Sequence, residues 1–130
     1  MYKRDAVLIM LLLALSVCLS GCLVAAVGAG AAGTVAYVRG DLEVIRAERI
    51  TEVYEASRKA VEQLEYLVVD TRKDATSARV TARDSRDDKI VINLEATPEG
   101  PTAISIRVGT WGNETKSNII WNKMKENLEQ

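Results

Sequence analysis

Residues 37–130 predict an α+β fold: one antiparallel sheet with two helices packed on one of its faces, a two-layer sandwich. Three observations carry that prediction. Apolar residues recur at three- and four-residue steps from Ile50 to Leu67, at two-residue steps from Leu67 to Val108, and at four-residue steps from Ile120 to Leu128. The first and last are the helix period and the middle one is the strand period. The element order they give is β-α-β-β-β-β-α.

Taken along the chain, Tyr37-Val38-Arg39-Gly40-Asp41-Leu42-Glu43-Val44 reads as the first strand, with Leu42 and Val44 on one side. Ile50, Val53, Ser57, Ala60, Val61, Leu64 and Leu67 then place one buried stripe along a helix of about five turns. Its other face pairs Glu55 with Lys59 and Arg58 with Glu62 at i,i+4 spacing. Such pairs give a few tenths of a kcal/mol each, so this face is ordinary solvated helix.

Strands begin at Leu67-Val68-Val69-Asp70-Thr71. Ala78, Val80 and Ala82 alternate with Arg79, Thr81 and Arg83; Ile90, Ile92 and Leu94 alternate with Val91, Asn93 and Glu95; Ile104, Ile106 and Val108 alternate with Ser105 and Arg107. This alternation marks a sheet covered on one face and wet on the other. The connections Lys73-Asp74-Ala75-Thr76, Ser85-Arg86-Asp87-Asp88 and Thr97-Pro98-Glu99-Gly100-Pro101 are short and rich in turn formers. Consecutive strands are therefore expected to pair as hairpins. A last helix, from about Thr115, presents Ile120, Met124 and Leu128 on one side.

The segment before this domain has a different character. Met1-Tyr2-Lys3-Arg4-Asp5 is a short charged opening, and Ala6 to Val17 is a run of twelve residues, apolar except for Ser16. That is the length of a signal-peptide core and well short of the ~20 residues that span a bilayer. Leu19-Ser20-Gly21-Cys22 follows and resembles the bacterial lipobox, in which a branched aliphatic and two small residues precede the cysteine that takes the diacylglycerol. The expected organisation is a signal peptide over 1–21, a lipidated Cys22 with a Gly/Ala-rich tether over 22–36, and an envelope domain over 37–130. At ~0.8 kcal/mol per buried methylene, several acyl chains anchor stably where one does not. The competing reading is an uncleaved helix, because the charge-free stretch runs from Ala6 to Val38. Leu23 follows the cysteine where an inner-membrane retention signal would show Asp, so the expected destination is the outer membrane, facing the periplasm.

Gly28-Ala29-Gly30-Ala31-Ala32-Gly33 spells the G-x-G-x-x-G dinucleotide fingerprint. The fingerprint works where it joins a strand to a helix, and here it adjoins the expected anchor, so it reads as a tether or glycine-zipper segment rather than a cofactor site. A flexible tether of this length reaches about 20 Å.

Composition narrows the function. The chain has 17 Lys+Arg against 18 Asp+Glu, and about −2 net charge once Lys3, Arg4 and Asp5 are set aside, which gives no electrostatic reason to expect nucleic acid. Histidine is absent, and the two cysteines, Cys18 and Cys22, both sit near the N-terminus. The commonest general base and metal ligand is thus missing, and acylation would remove Cys22 as a nucleophile. No catalytic residue, metal or cofactor is expected.

Leu19-Ser20-Gly21-Cys22, the Gly/Ala tether, Tyr37-Val38-Arg39-Gly40-Asp41-Leu42-Glu43, the Ala78-to-Arg83 strand and Ile106-Arg107-Val108-Gly109 occur in sequence. With them the chain resembles a family of small bacterial lipoproteins of unknown function. The resemblance covers nearly the whole mature chain and implies an envelope lipoprotein without assigning residue roles. The element order is also similar to the helix-grip domains of an outer-membrane assembly lipoprotein, a fold analogy only.

Asp84, Asp88 and Glu95 stand at positions one, five and twelve of a calcium-loop template, but Arg86 and Lys89 occupy positions that need a ligand and a turn glycine. A polar hairpin turn is the better reading. Two features point to binding. Arg72, Arg79, Arg83 and Arg107 would lie on the outward sheet face, where arginine suits carboxylate or phosphate recognition; the bland alternative pairs them with Asp70 and Glu95 as a solvated face. Trp111, between Gly109 and Gly112, either anchors a partner or membrane interface or folds back over the core, and the second choice also applies to Trp121.

These features lead to the expectation of a non-enzymatic, membrane-tethered interaction module that binds an envelope protein or cell-wall component through the sheet face or the Trp111 loop. The alternative is a small-molecule or lipid carrier with a cavity between helices and sheet. Intact mass and membrane fractionation test the leader. Wild type is expected at the mass of a chain cleaved before Cys22 and acylated, with Cys22→Ser left unprocessed; an unmodified full-length wild type in the membrane identifies an uncleaved helix instead.

Overall fold

Residues 2–11 and 35–130 are described by a computed structural model of the chain. The Leu19-Ser20-Gly21-Cys22 segment and the Gly28-to-Gly33 motif lie outside the described residues. The chain divides into two compact units, Met1–Ala31 and Ala32–Gln130. In the first, residues 2–11 form a helix, α1, with exposed side chains. No helix among the described residues is long and apolar enough to cross a membrane.

The second unit is an α+β domain. Its elements are β1 (Val35–Val38), β2 (Asp41–Arg46), α2 (Ile50–Gln63), β3 (Leu67–Lys73), β4 (Ser77–Arg83), β5 (Lys89–Ala96), β6 (Thr102–Val108) and α3 (Glu114–Leu128). The six strands form one open sheet in the order β1-β2-β6-β5-β4-β3, with every neighbouring pair antiparallel.

The expected first strand, Tyr37 to Val44, is instead a hairpin, and the element order is β-β-α-β-β-β-β-α. Arg39 and Gly40 form its two-residue turn, with φ of 52° and 91°. Two successive positive φ values match the twist of a tight hairpin, but they are usually supplied by Asn-Gly or Asp-Gly. Arginine in the first position hides the turn inside an alternating pattern.

The predicted helix is also shorter than expected. It ends at Gln63, and Leu67 is the first residue of β3, 70% exposed rather than part of the buried stripe. Glu65 takes φ 59°, Glu65 N–H donates to Glu62 O, and Tyr66 N–H donates to Val61 O. These are the two bonds of a Schellman stop, with glutamate where glycine is usual. The three turns read from composition fall where expected, between β3 and β4, β4 and β5, and β5 and β6.

One face of the sheet is buried. Leu42 and Val44, Ala78, Val80 and Ala82, Ile90, Ile92 and Leu94, and Ile104, Ile106 and Val108 join Val53, Ala60 and Val61 of α2 and Ile120, Trp121 and Met124 of α3 in one core cluster. Each fully buried aliphatic side chain contributes about 1.5–3 kcal/mol relative to exposure. Trp121 covers this core, with the Arg46 guanidinium 5.7 Å above its ring and held in turn by Glu48 at 2.6 Å. The buried hydroxyls are satisfied: Ser57 Oγ donates to Val53 O at 2.7 Å, and Thr102 Oγ1 to Glu48 O at 2.8 Å.

Ile106 is fully buried on the strand flanked by β2 and β5. Ile106→Ala is expected to lower unfolding free energy by about 2–5 kcal/mol in a urea titration, against at most ~0.5 kcal/mol for the exposed Lys59→Ala.

Candidate functional site

The loop between β6 and α3 carries the most exposed large hydrophobic side chain of the described domain, Trp111 at 90%. Exposure of this kind is costly for an indole, and the loop beneath it is held on three sides. Gly112, with φ 87°, is pressed on Gly40 in the β1–β2 turn. A Cβ on Gly40 would meet Trp111 O at 2.6 Å, and one on Gly112 would meet the Tyr37 hydroxyl at 2.6 Å. Backbone on backbone leaves no room for a side chain at either position. From the β5 side, Gly109 N–H donates to Lys89 O at 2.8 Å.

Arg107 joins these parts. Its Nε and Nη2 donate to the two carboxylate oxygens of Asp41, at 2.7 and 3.2 Å; Nη2 also donates to Arg39 O at 2.8 Å, and Nη1 to Thr110 O at 3.0 Å. A planar guanidinium suits such a fork, where lysine offers only a point charge. One side chain therefore ties the hairpin turn to the tryptophan loop. Beside it, on the outward face, Lys89, Val91, Arg107, Gly109 and Thr110 line a shallow depression of about 230 Å³.

The four outward arginines do not form one site. Arg72 and Arg79 are directly opposed across β3 and β4. Arg79 Nε donates to Asn93 Oδ1 at 2.7 Å, and Arg72 lies 3.2 Å from Asp70. Arg83 is bonded to its own turn through Asp87 O and Asp87 Oδ1. Arg107 lies two strands from Arg79, committed to the clamp. The Arg72–Asp70 pairing is one that the solvated-face alternative named; Arg79 bonds to Asn93, which it did not name.

The carboxylates of the calcium-loop template serve a different purpose. Asp84 accepts N–H bonds from Arg86 and Asp88, and both Asp84 and Asp88 bind the ammonium of Lys116 from the first turn of α3. A side-chain cation thus occupies the place a metal would take, and Glu95 is elsewhere on the sheet. The Lys116 hydrogen bond, aided by the two backbone N–H groups, holds the Asp84 carboxyl below the usual aspartate range; hydrogen bonds to Asp84 and Asp88 raise Lys116. Asn113 caps the helix by accepting from Lys116 N–H at 3.0 Å. Among the described residues no group of three or more His, Cys, Asp or Glu is placed to hold a metal ion.

The sequence singled out Trp111 and Arg107 but missed the roles of Gly40, Asp41 and Lys116. Gly40 between two strand-like runs was the one sequence signal of the turn before Asp41; nothing local marks Lys116, whose partners lie 28 and 32 positions away.

Residues 6–127 match the family described as a protein of unknown function, DUF3568. No curated protein matches the chain.

The latch between the β4–β5 turn and α3 is expected to depend on pH with a definite sign. A carboxyl depressed in the folded state stabilises it above the ordinary aspartate range, and that stabilisation disappears as pH falls through the folded-state value. Asp84→Asn should therefore be less stable than wild type at neutral pH, and the gap should close in strong acid; denaturant titrations across that range measure it.

Proposed function

The chain belongs to the DUF3568 family, and from that premise we propose that it is a non-enzymatic lipoprotein of the bacterial cell envelope, anchored through Cys22 and acting as an interaction module. The observation that carries the reading is Trp111: 90% exposed, on a loop held by Arg107 and by the Gly40–Gly112 contact. An aromatic held in place loses little freedom on binding, which is how a few rigid residues come to dominate an interface. The partner class is an envelope protein or cell-wall component. The signal-length apolar run ending at Leu19-Ser20-Gly21-Cys22 supports the anchor, and the family match runs through it. Outer-membrane placement facing the periplasm rests on Leu23 after the cysteine.

The carrier alternative needs a cavity between helices and sheet. Val53, Val61, Ile92, Ile106, Ile120 and Met124 are fully buried in that layer, and the depression lies on the opposite face. Packing of this kind favours the interaction reading.

A photoreactive residue in place of Trp111, crosslinked in the intact envelope, tests it. One defined adduct is expected, lost when Arg107→Ala frees the loop and retained when Arg79 and Arg83 are replaced. Diffuse labelling, or an adduct indifferent to Arg107, counts against the Trp111 loop as the contact.

A further inference from the structure

We propose that two copies of this chain pair antiparallel through their β3 edges, with Thr71 facing Thr71 and Asp70 facing Arg72 of the second copy. β3 ends the sheet, and all seven of its residues are exposed, Leu67, Val68 and Val69 among them. An edge of this length presents a row of unpaired N–H and C=O groups to any strand that can match it.

The backbone restricts the match. Asp74 N–H donates to Ser77 O at 2.7 Å, which makes these two a hydrogen-bonded pair at the end of the β3–β4 hairpin. Alternation then turns the backbone groups of Arg72 and Asp70 toward β4, opposite Arg79 and Thr81, and leaves those of Thr71 and Lys73 pointing to the open edge. A second β3 must set edge-facing residues against edge-facing residues, so only every other register is allowed.

Charge then chooses among the allowed registers. One centres Asp70 on Asp70, another centres Arg72 on Arg72, and both oppose like charges. The register between them centres Thr71 on Thr71 and sets Asp70 against Arg72 twice, once on each side of the axis. Opposite charges facing across strands stabilise pairing, and like charges oppose it. The same register brings Val69 against Lys73, whose stem can cover an apolar neighbour; Lys73 Nζ already lies on the helix side of the sheet, 5.8 Å from the Tyr54 ring centre. The irregularity between Val68 and Asp70 ends the regular ladder, so Val69 to Lys73 of each copy make the contact. Within one chain Asp70 and Arg72 form an exposed pair at 3.2 Å; in the dimer the four charges make one alternating cluster on a continuous, two-fold symmetric sheet.

Sedimentation equilibrium of the full chain in detergent tests this, using Asp70→Arg, Arg72→Asp and the double swap D70R/R72D. Wild type is expected to dimerise, each single swap to raise the dissociation constant about tenfold or more, and the double swap to return it to within about threefold of wild type. All three positions are exposed, and unchanged circular dichroism checks that the domain remains folded. A wild-type monomer overturns the proposal, as does a dimer indifferent to the swaps or a double swap that fails to recover. Oxidised Thr71→Cys gives an independent readout: a peptide joined through position 71 in both copies is expected, and its absence under conditions where wild type dimerises rules out this register.

Discussion

The domain is organised around the ion pair between Asp41 and Arg107. Asp41 opens β2 and Arg107 nearly closes β6, and the two stand opposite each other in the strand ladder. The pair does more than join two strands, because the remaining donors of the guanidinium reach the backbone of the β1–β2 turn and of the tryptophan loop. Remove the guanidinium, and the Asp41 carboxylate, the hairpin turn and the tryptophan loop lose a common partner at once. Lysine at this position would keep the charge but not the fork.

This arrangement changes the meaning of the outward arginines. Arginine on an exposed sheet face invites a reading of anion recognition, yet in this domain Arg107 is committed to its own loops, Arg83 to its own turn and Arg79 to Asn93. The polar face is held together by local, mostly within-sheet contacts. The indole of Trp111 stands 90% exposed on a support built from those contacts. Trp121, ten residues later, is the contrast: the same residue type, buried against the core and overlaid by Arg46.

Much of the fold was legible because its periods are clean. β4, β5 and β6 alternate without interruption, and their turns carry Asp, Pro and Gly, so burial and connection were both readable. What escaped were two backbone conformations taken by unexpected residues. Arg39 and Glu65 both adopt positive φ, where sequence reasoning looks for glycine or asparagine, and each conceals a boundary: a hairpin in one case, a helix end in the other. The site was legible by residue and not by role. Trp111 is conspicuous in the sequence, but its exposure depends on Gly40 meeting Gly112, and Lys116 meets Asp84 across 32 positions. Local spacing contains neither fact.

The strand order has a consequence for how the chain reaches this state. β6 is the last strand in sequence, yet it lies between β2 and β5. The first hairpin therefore has no place to dock until nearly the whole polypeptide is available, whereas β3, β4 and β5 can assemble through short connections as soon as they emerge. The closing step is a long-range one, joining residues 56 to 66 positions apart, and such steps carry a large loop-closure cost before any contact rewards them. Until β6 is in place the strands of this chain form two separate sets. Its last segment, β6 with α3 behind it, is the piece that turns a meander and a loose hairpin into a single cooperative sheet.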